Sequence, residues 1–197
     1  AERKKQAKGW LIEDSIEGWA DALGVLMSSY FVGGGTRTEF EGRKVYFDLS
    51  QVRPQGSMIS GGFKAPGPEP LRKALDKIEH LIQTLVLKGA TRLSPIHVYD
   101  ISMHAADAVL AGGVRRSATI CLFSKDDEEM LTAKTGNWFI DNPQRGRSNN
   151  SAVIVRSEIT KNEFSNCMKS IKEFGEPGFY FVDNTEHTTN PCVEIGM

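Results

Sequence analysis

Cysteine is scarce in this chain, and what there is does not pair. The 197 residues hold three cysteines, Cys121, Cys167 and Cys192, none of them at a CxxC spacing. That excludes a disulfide framework and favours a reducing, cytoplasmic setting. Histidine is also thin. His97 and His104 share roughly one face of an expected helix, but no Cys, Asp or Glu at ligand spacing completes a zinc set, so no metal site is expected. Charge imbalance is missing too: the formal net charge is −1, which gives no global basic field for nucleic acid. The basic stretch Arg3-Lys4-Lys5-Gln6-Ala7-Lys8 is local and reads as a solvated arm, or the tail of an interrupted helix, over residues 1–11. No apolar run approaches the roughly 20 residues of a membrane span. Trp10-Leu11-Ile12 is too short for the core of a secretion signal, and acidic residues follow at once. There is no internal repeat and no low-complexity segment.

What is present is ordinary globular material: 40% hydrophobic and 25% charged residues. The length suffices for one domain, 1–197, with a real core. Asp14-Ser15 followed by Ile16, Trp19, Ala20, Leu23, Leu26 and Met27 predicts a capped amphipathic helix ending near Tyr30-Phe31. Lys44–Leu49 reads as a strand, and the Gly/Pro-rich stretch from Arg53 to Pro68 as loop. A helix is expected from Pro70 to Lys88, with Leu71, Leu75, Ile78, Leu81, Ile82 and Leu85 buried and Gly89 ending it. A second runs from Ser94 to Leu110, with Pro95 in its first turn. Strands follow at Ala118–Phe123, Ser151–Val155 and Gly178–Val182. A helix opens at Ser124-Lys125-Asp126-Asp127-Glu128, and another is placed over Glu158 to Phe174, beginning near Thr160. Strands alternating with helices imply a largely parallel sheet covered by helices, an α/β architecture; open sheet and closed barrel are both compatible.

The segment best suited to chemistry is Asn190-Pro191-Cys192-Val193-Glu194. If it is extended, Asn190, Cys192 and Glu194 share one face, so an amide, a thiol and a carboxylate meet one substrate. A second constellation is Gly112-Gly113-Val114-Arg115-Arg116-Ser117-Ala118. It reads either as a helix cap with surface arginines or as a glycine loop aiming guanidinium groups at a nucleotide. Val52-Arg53-Pro54-Gln55-Gly56-Ser57 lacks the Walker and dinucleotide spacings, so alone it is a plain loop. Asp14 alone is a plain helix cap, and Arg145-Gly146-Arg147-Ser148-Asn149-Asn150-Ser151 a turn before a strand.

Taken in order, these segments resemble the ribonucleotide reductases from about Ile12 to Met197. The pattern Arg115-Arg116-Ser117-Ala118, Ser148-Asn149-Asn150-Ser151 and Pro191 are similar to the adenosylcobalamin-dependent (class II) branch. The resemblance implies a thiyl radical on Cys192 that takes the 3′ hydrogen of the substrate ribose. Glu194 becomes the acid/base and Asn190 the amide that holds substrate hydroxyls. Gly112, Gly113, Arg115 and Arg116 become the specificity loop. Arg53 becomes the phosphate ligand and Asp14 the deoxyribose ligand of a deoxynucleoside triphosphate effector. No catalytic role is implied for 148–151.

The implied fold is about the first half of a ten-stranded α/β barrel, with the tip of the radical-cysteine finger loop at its C-terminal end. The implied reaction reduces ribonucleotides, diphosphates by overall similarity, to 2′-deoxyribonucleotides with adenosylcobalamin and a thioredoxin-type reductant, in a homodimer. Neither nucleic acid nor membrane is expected as a partner. Two further cysteines that reduce the substrate lie outside this stretch, and Cys121 and Cys167 read as structural. The chain therefore reads as a fragment of a catalytic subunit, inactive alone. Two rivals stay open: a class I large subunit fed by a partner radical generator, and a non-catalytic nucleotide-binding regulatory module.

Overall fold

The computed structural model describes residues 2–109 and 118–196. They fall into two compact units. The first holds residues up to Leu93 and the end of a later helix from His104; the second holds Ser94–Met103 and the described residues from Ala118 onward. No helix among the described residues is long and apolar enough to cross a membrane.

In the first unit, β1 (Lys5–Leu11) and β2 (Arg43–Asp48) pair in parallel. Parallel partners need a crossover, and α1 (Ile16–Tyr30) makes it. β1 lies in the stretch expected to be a basic arm. Its side chains are almost all exposed, so no apolar alternation marks it; backbone pairing with β2 holds it. α1 begins where Ser15 Oγ accepts the Gly18 N–H at 2.9 Å, so Ser15 is the cap and Asp14 is left for other work. Gly18 has to be glycine: a Cβ there would stand 2.5 Å from the Glu13 carbonyl oxygen.

The buried face of α1 is Gly18, Ala22, Val25, Leu26 and Ser29. The expected stripe is mostly elsewhere, and Ile16 is 87% exposed. Apolar residues surround most of this helix, so periodicity alone does not select its inner face. Val25, Phe40 and Val45 form the local core with Trp10 and Phe47 against it; the Trp10 and Phe40 rings meet edge-on at 5.6 Å.

The Gly/Pro stretch is not all loop. β3 (Met58–Ile59) and β4 (Phe63–Lys64) form a small antiparallel hairpin turned by Gly61 and Gly62, both at positive φ. α2 (Glu69–Leu87) buries Leu71, Ala74, Leu75, Ile78 and Ile82 and packs on α1, and Gly89 follows in the left-handed region. α3 (Pro95–Val109) gives its first part to the second unit and its last to the first.

The second unit is a three-stranded parallel sheet with β6 (Ser148–Val155) between β5 (Thr119–Ser124) and β7 (Gly178–Val182). The short helices α4 (Glu128–Leu131) and α5 (Trp138–Asp141) fall between β5 and β6. The helix expected from Ser124 is thus only α4, capped by Asp127. α6 (Lys161–Phe174) joins β6 to β7 with a capping box of Thr160 and Glu163.

Parallel register partners share a face. Cys121 with Asn150, Phe123 with Ala152, and Ala152 with Phe179 lie on the face packed against Ile96, Tyr99, Met103, Met130 and Ala133. The other face carries Asn149, Ser151 and Val153, with Gly178 and Tyr180 beside the last two.

β6 starts earlier than expected, and the polar run Ser148-Asn149-Asn150-Ser151 is strand rather than turn. Of its inward polar atoms, Ser148 Oγ and Asn150 Oδ1 have partners, while Asn150 Nδ2 is buried without one. Tyr99 Oη stands 2.8 Å from Ser148 Oγ and donates to Asn150 Oδ1 at 3.1 Å. Next to it, Arg145 forks onto buried Asp100 at 2.8 and 2.7 Å. The class is α/β, and the sheets among the described residues are small and open.

Candidate active site

Asn190–Ile195 is a closed hairpin, so the condition under which its three polar side chains would share one face, an extended backbone, is not met. Thr189 and Gly196 form an antiparallel bridge, and the Asn190 N–H donates to the Ile195 carbonyl at 3.2 Å. The Val193 N–H donates to the Asn190 carbonyl at 3.0 Å, so Pro191 and Cys192 are the central residues of a tight turn. Proline suits the first central position because its ring presets φ. The asparagine side chain is the physical reason for closure: Asn190 Oδ1 accepts the Ile195 N–H at 3.0 Å. Asn190, Cys192 and Glu194 therefore do not line one strand face. Cys192 stands at the turn's tip, exposed and unpaired, and Glu194 is exposed. Val193 adopts φ 68°, a left-handed conformation that a β-branched residue takes only under strain.

Among the described residues, two side-chain hydrogen bonds tie the hairpin and its stem to the sheet. Asn149 Nδ2 donates to the Pro191 carbonyl at 3.1 Å, and Tyr180 Oη donates to the Thr188 carbonyl at 3.0 Å. Sequence reasoning gave neither residue a role. An asparagine is a poor strand former, so the run read as a turn; the resemblance of Ser148-Asn149-Asn150-Ser151 to class II enzymes was the signal the sequence offered for Asn149.

In the first unit the structure brings together the two proposed effector ligands. Arg53 Nε donates to Asp14 Oδ2 at 2.6 Å, across 39 positions of sequence, and both side chains are partly exposed. Such an accessible pair holds itself only weakly, so a nucleotide could exchange with it: phosphate onto the guanidinium, sugar hydroxyl onto the carboxylate. Gly112, Gly113, Arg115 and Arg116 lie outside the described residues.

Cys121 is half-buried and Cys167 buried; burial pushes both thiols above their ordinary pKa, as suits structural cysteines. His97 faces its own helix start, with Nδ1 accepting the Ser94 N–H at 3.1 Å. Among the described residues, no group of three or more His, Cys, Asp or Glu side chains could hold a metal ion.

The described residues define an α/β chain in which an exposed cysteine is held beside a parallel sheet and Asp14 pairs with Arg53. Comparisons with known proteins agree. The adenosylcobalamin-dependent ribonucleoside-triphosphate reductase of Lacticaseibacillus paracasei is 31% identical over 211 residues, covering 98% of this chain and 27% of that protein. The enzyme of the same name from Lactobacillus leichmannii is 29% identical over 204 residues, covering 94% and 26%. A probable adenosylcobalamin-dependent ribonucleoside-triphosphate reductase of Dictyostelium discoideum is 31% identical over 179 residues, covering 89% and 21%. A crystal structure of a B12-dependent (class II) ribonucleotide reductase superposes with a TM-score of 0.78 at 26% identity, covering 97% of this chain and 27% of that one. No family model matches. The chain is homologous, over nearly all its length, to one stretch of the class II ribonucleotide reductases, and it spans about a quarter of the length of these relatives.

Proposed function

We propose that the chain is part of the catalytic barrel of an adenosylcobalamin-dependent ribonucleotide reductase, with Cys192 as its radical carrier. The observation that carries this reading is the exposed thiol, free of any disulfide, at the tip of a hairpin anchored to Asn149 and Tyr180 of a parallel sheet. The homology to class II enzymes favours it over a class I large subunit and over a regulatory module. In the complete protein the two small parallel sheets would join others to close a ten-stranded barrel around the hairpin.

Adenosylcobalamin brings its cobalt already ligated, so it asks the protein for a surface and a reachable thiol rather than a metal cage. Cys192 fits the second demand. When bound, the cofactor would supply the radical that accepts the hydrogen atom of the Cys192 S–H bond, leaving the unpaired electron on the sulfur. The sulfur then takes a hydrogen atom from the ribose 3′ carbon: a C–H bond breaks, an S–H bond forms and the radical passes to the sugar. Glu194 accepts the proton of the 3′-hydroxyl. Asn190 has its Oδ1 committed to the Ile195 N–H, so its Nδ2 is the end that donates to a substrate hydroxyl. A dithiol elsewhere in the protein supplies the two electrons of reduction and is restored by a thioredoxin-type reductant.

Asp14 and Arg53 bind a deoxynucleoside triphosphate effector, with Arg115, Arg116 and the Gly112-Gly113 turn relaying its identity to the substrate base. The enzyme works in the reducing cytoplasm as a homodimer. The relatives' names favour triphosphate substrates over the diphosphates expected from the sequence. Equimolar ribonucleoside di- and triphosphates offered to the complete reductase test this: deoxyribonucleoside triphosphate should dominate. Product lost in Glu194→Gln supports the carboxylate's role; undiminished product removes it.

A further inference from the structure

We propose that Asn149 is a positioning residue for the Cys192 thiol, with Tyr180 as its second anchor; this rests on Cys192 being the radical carrier. The geometry is specific. Asn149 is the one exposed residue in the buried first half of β6, on the sheet face away from the core. Tyr180 lies on the same face of β7, through the register of Ser151 with Gly178 and Val153 with Tyr180. A Cβ on Gly178 would approach Ser151 Oγ to 3.0 Å, so glycine keeps that face shallow between the two anchors.

Asn149 does not hold the hairpin at random. Its Nδ2 binds the carbonyl of Pro191, the residue directly before the cysteine. A peptide unit is planar, so fixing that oxygen fixes the plane that ends in the Cys192 Cα. The turn bond from the Val193 N–H to the Asn190 carbonyl restrains the backbone on the other side. What remains to the thiol is little more than its own side-chain torsion. Tyr180 Oη grips the hairpin's stem at Thr188. Hairpin closure does not depend on either anchor, because its own bonds run between Thr189 or Asn190 and Ile195. Removing an anchor should therefore leave the hairpin folded but poorly aimed, and aim is what a hydrogen-atom transfer at contact distance requires.

The test is steady-state turnover of the complete reductase with ribonucleotide, beside hydrogen exchange of the 188–196 segment. Asn149→Ala should lower kcat about 10- to 100-fold with KM for the nucleotide unchanged. Asn149→Gln keeps the donor at an exposed position and should recover most of the loss. Tyr180→Phe, which deletes one hydroxyl, should show a smaller fall in kcat alone. Wild-type kcat in Asn149→Ala and Tyr180→Phe overturns the inference, as does a loss that appears in KM or that glutamine fails to restore. If Asn149→Ala does not fold, Tyr180→Phe decides by itself. Turnover in Cys192→Ser would sink the underlying function instead; an inactive Cys192→Ser beside a fully active Asn149→Ala would sink only the anchor.

Discussion

Val193 holds a left-handed backbone at φ 68°, next to the thiol proposed to do the chemistry. Such a conformation costs on the order of 1–3 kcal/mol in a non-glycine residue. Glycine removes most of that strain but adds freedom to the unfolded loop. Val193→Gly should therefore tighten the hairpin by roughly 1 kcal/mol, seen as several-fold slower hydrogen exchange at the Ile195 amide. Unchanged or faster exchange would mean the strain is not held there. At this scale the sequence was informative about chemistry and poor about geometry. The asparagine, cysteine and glutamate were legible as residue types. That Asn190 spends its oxygen on closing the turn follows from a contact to Ile195 that no spacing rule reports. Asp14 and Arg53 were legible only through resemblance, and their bond links positions far apart in the chain.

Among the elements, α6 shows how local chemistry sets a helix start. Glu163 is bonded by the Lys125 ammonium at 2.6 Å, then by the Thr160 hydroxyl and N–H, and these hold its carboxyl at about 2, against 4.5 ordinarily. A carboxylate with a depressed folded-state pKa contributes stability that is fully present above its unfolded value. That contribution fades as pH falls from about 4.5 toward about 2. Urea melts of the wild type and Glu163→Gln should differ by a constant amount above that window and converge within it. A gap that persists at the acid end would contradict the assignment.

The capping box behind this was readable in the sequence as Thr160 with Glu163 three residues on, and α6 begins where that signal puts it. β1 was not readable, because its side chains are exposed and only its backbone is paired. The start of β6 was misread as a turn because buried Ser148 and Asn150 look polar until Tyr99 is placed against them.

For the whole molecule, alternating strands and helices identified the α/β class, but sheet closure lies beyond what a one-dimensional pattern encodes. In the described sheet, β5 and β7 pair only with β6, which leaves a free edge on each. Unpaired edges invite pairing with another chain. The 197-residue chain by itself should self-associate with rising concentration in sedimentation velocity. A single monomer species across the micromolar range would show that these edges are protected.

The proposed reaction also needs a dithiol, and among the described residues the three cysteines form no pair. Turnover is therefore expected of the complete reductase and not of this chain alone. The central claim is that Cys192 carries the radical. Its most direct test is deoxyribonucleotide formation by the complete reductase, with and without adenosylcobalamin, beside Cys192→Ser. The account predicts product only with the cofactor and none from the variant; cofactor-dependent product from Cys192→Ser would contradict it.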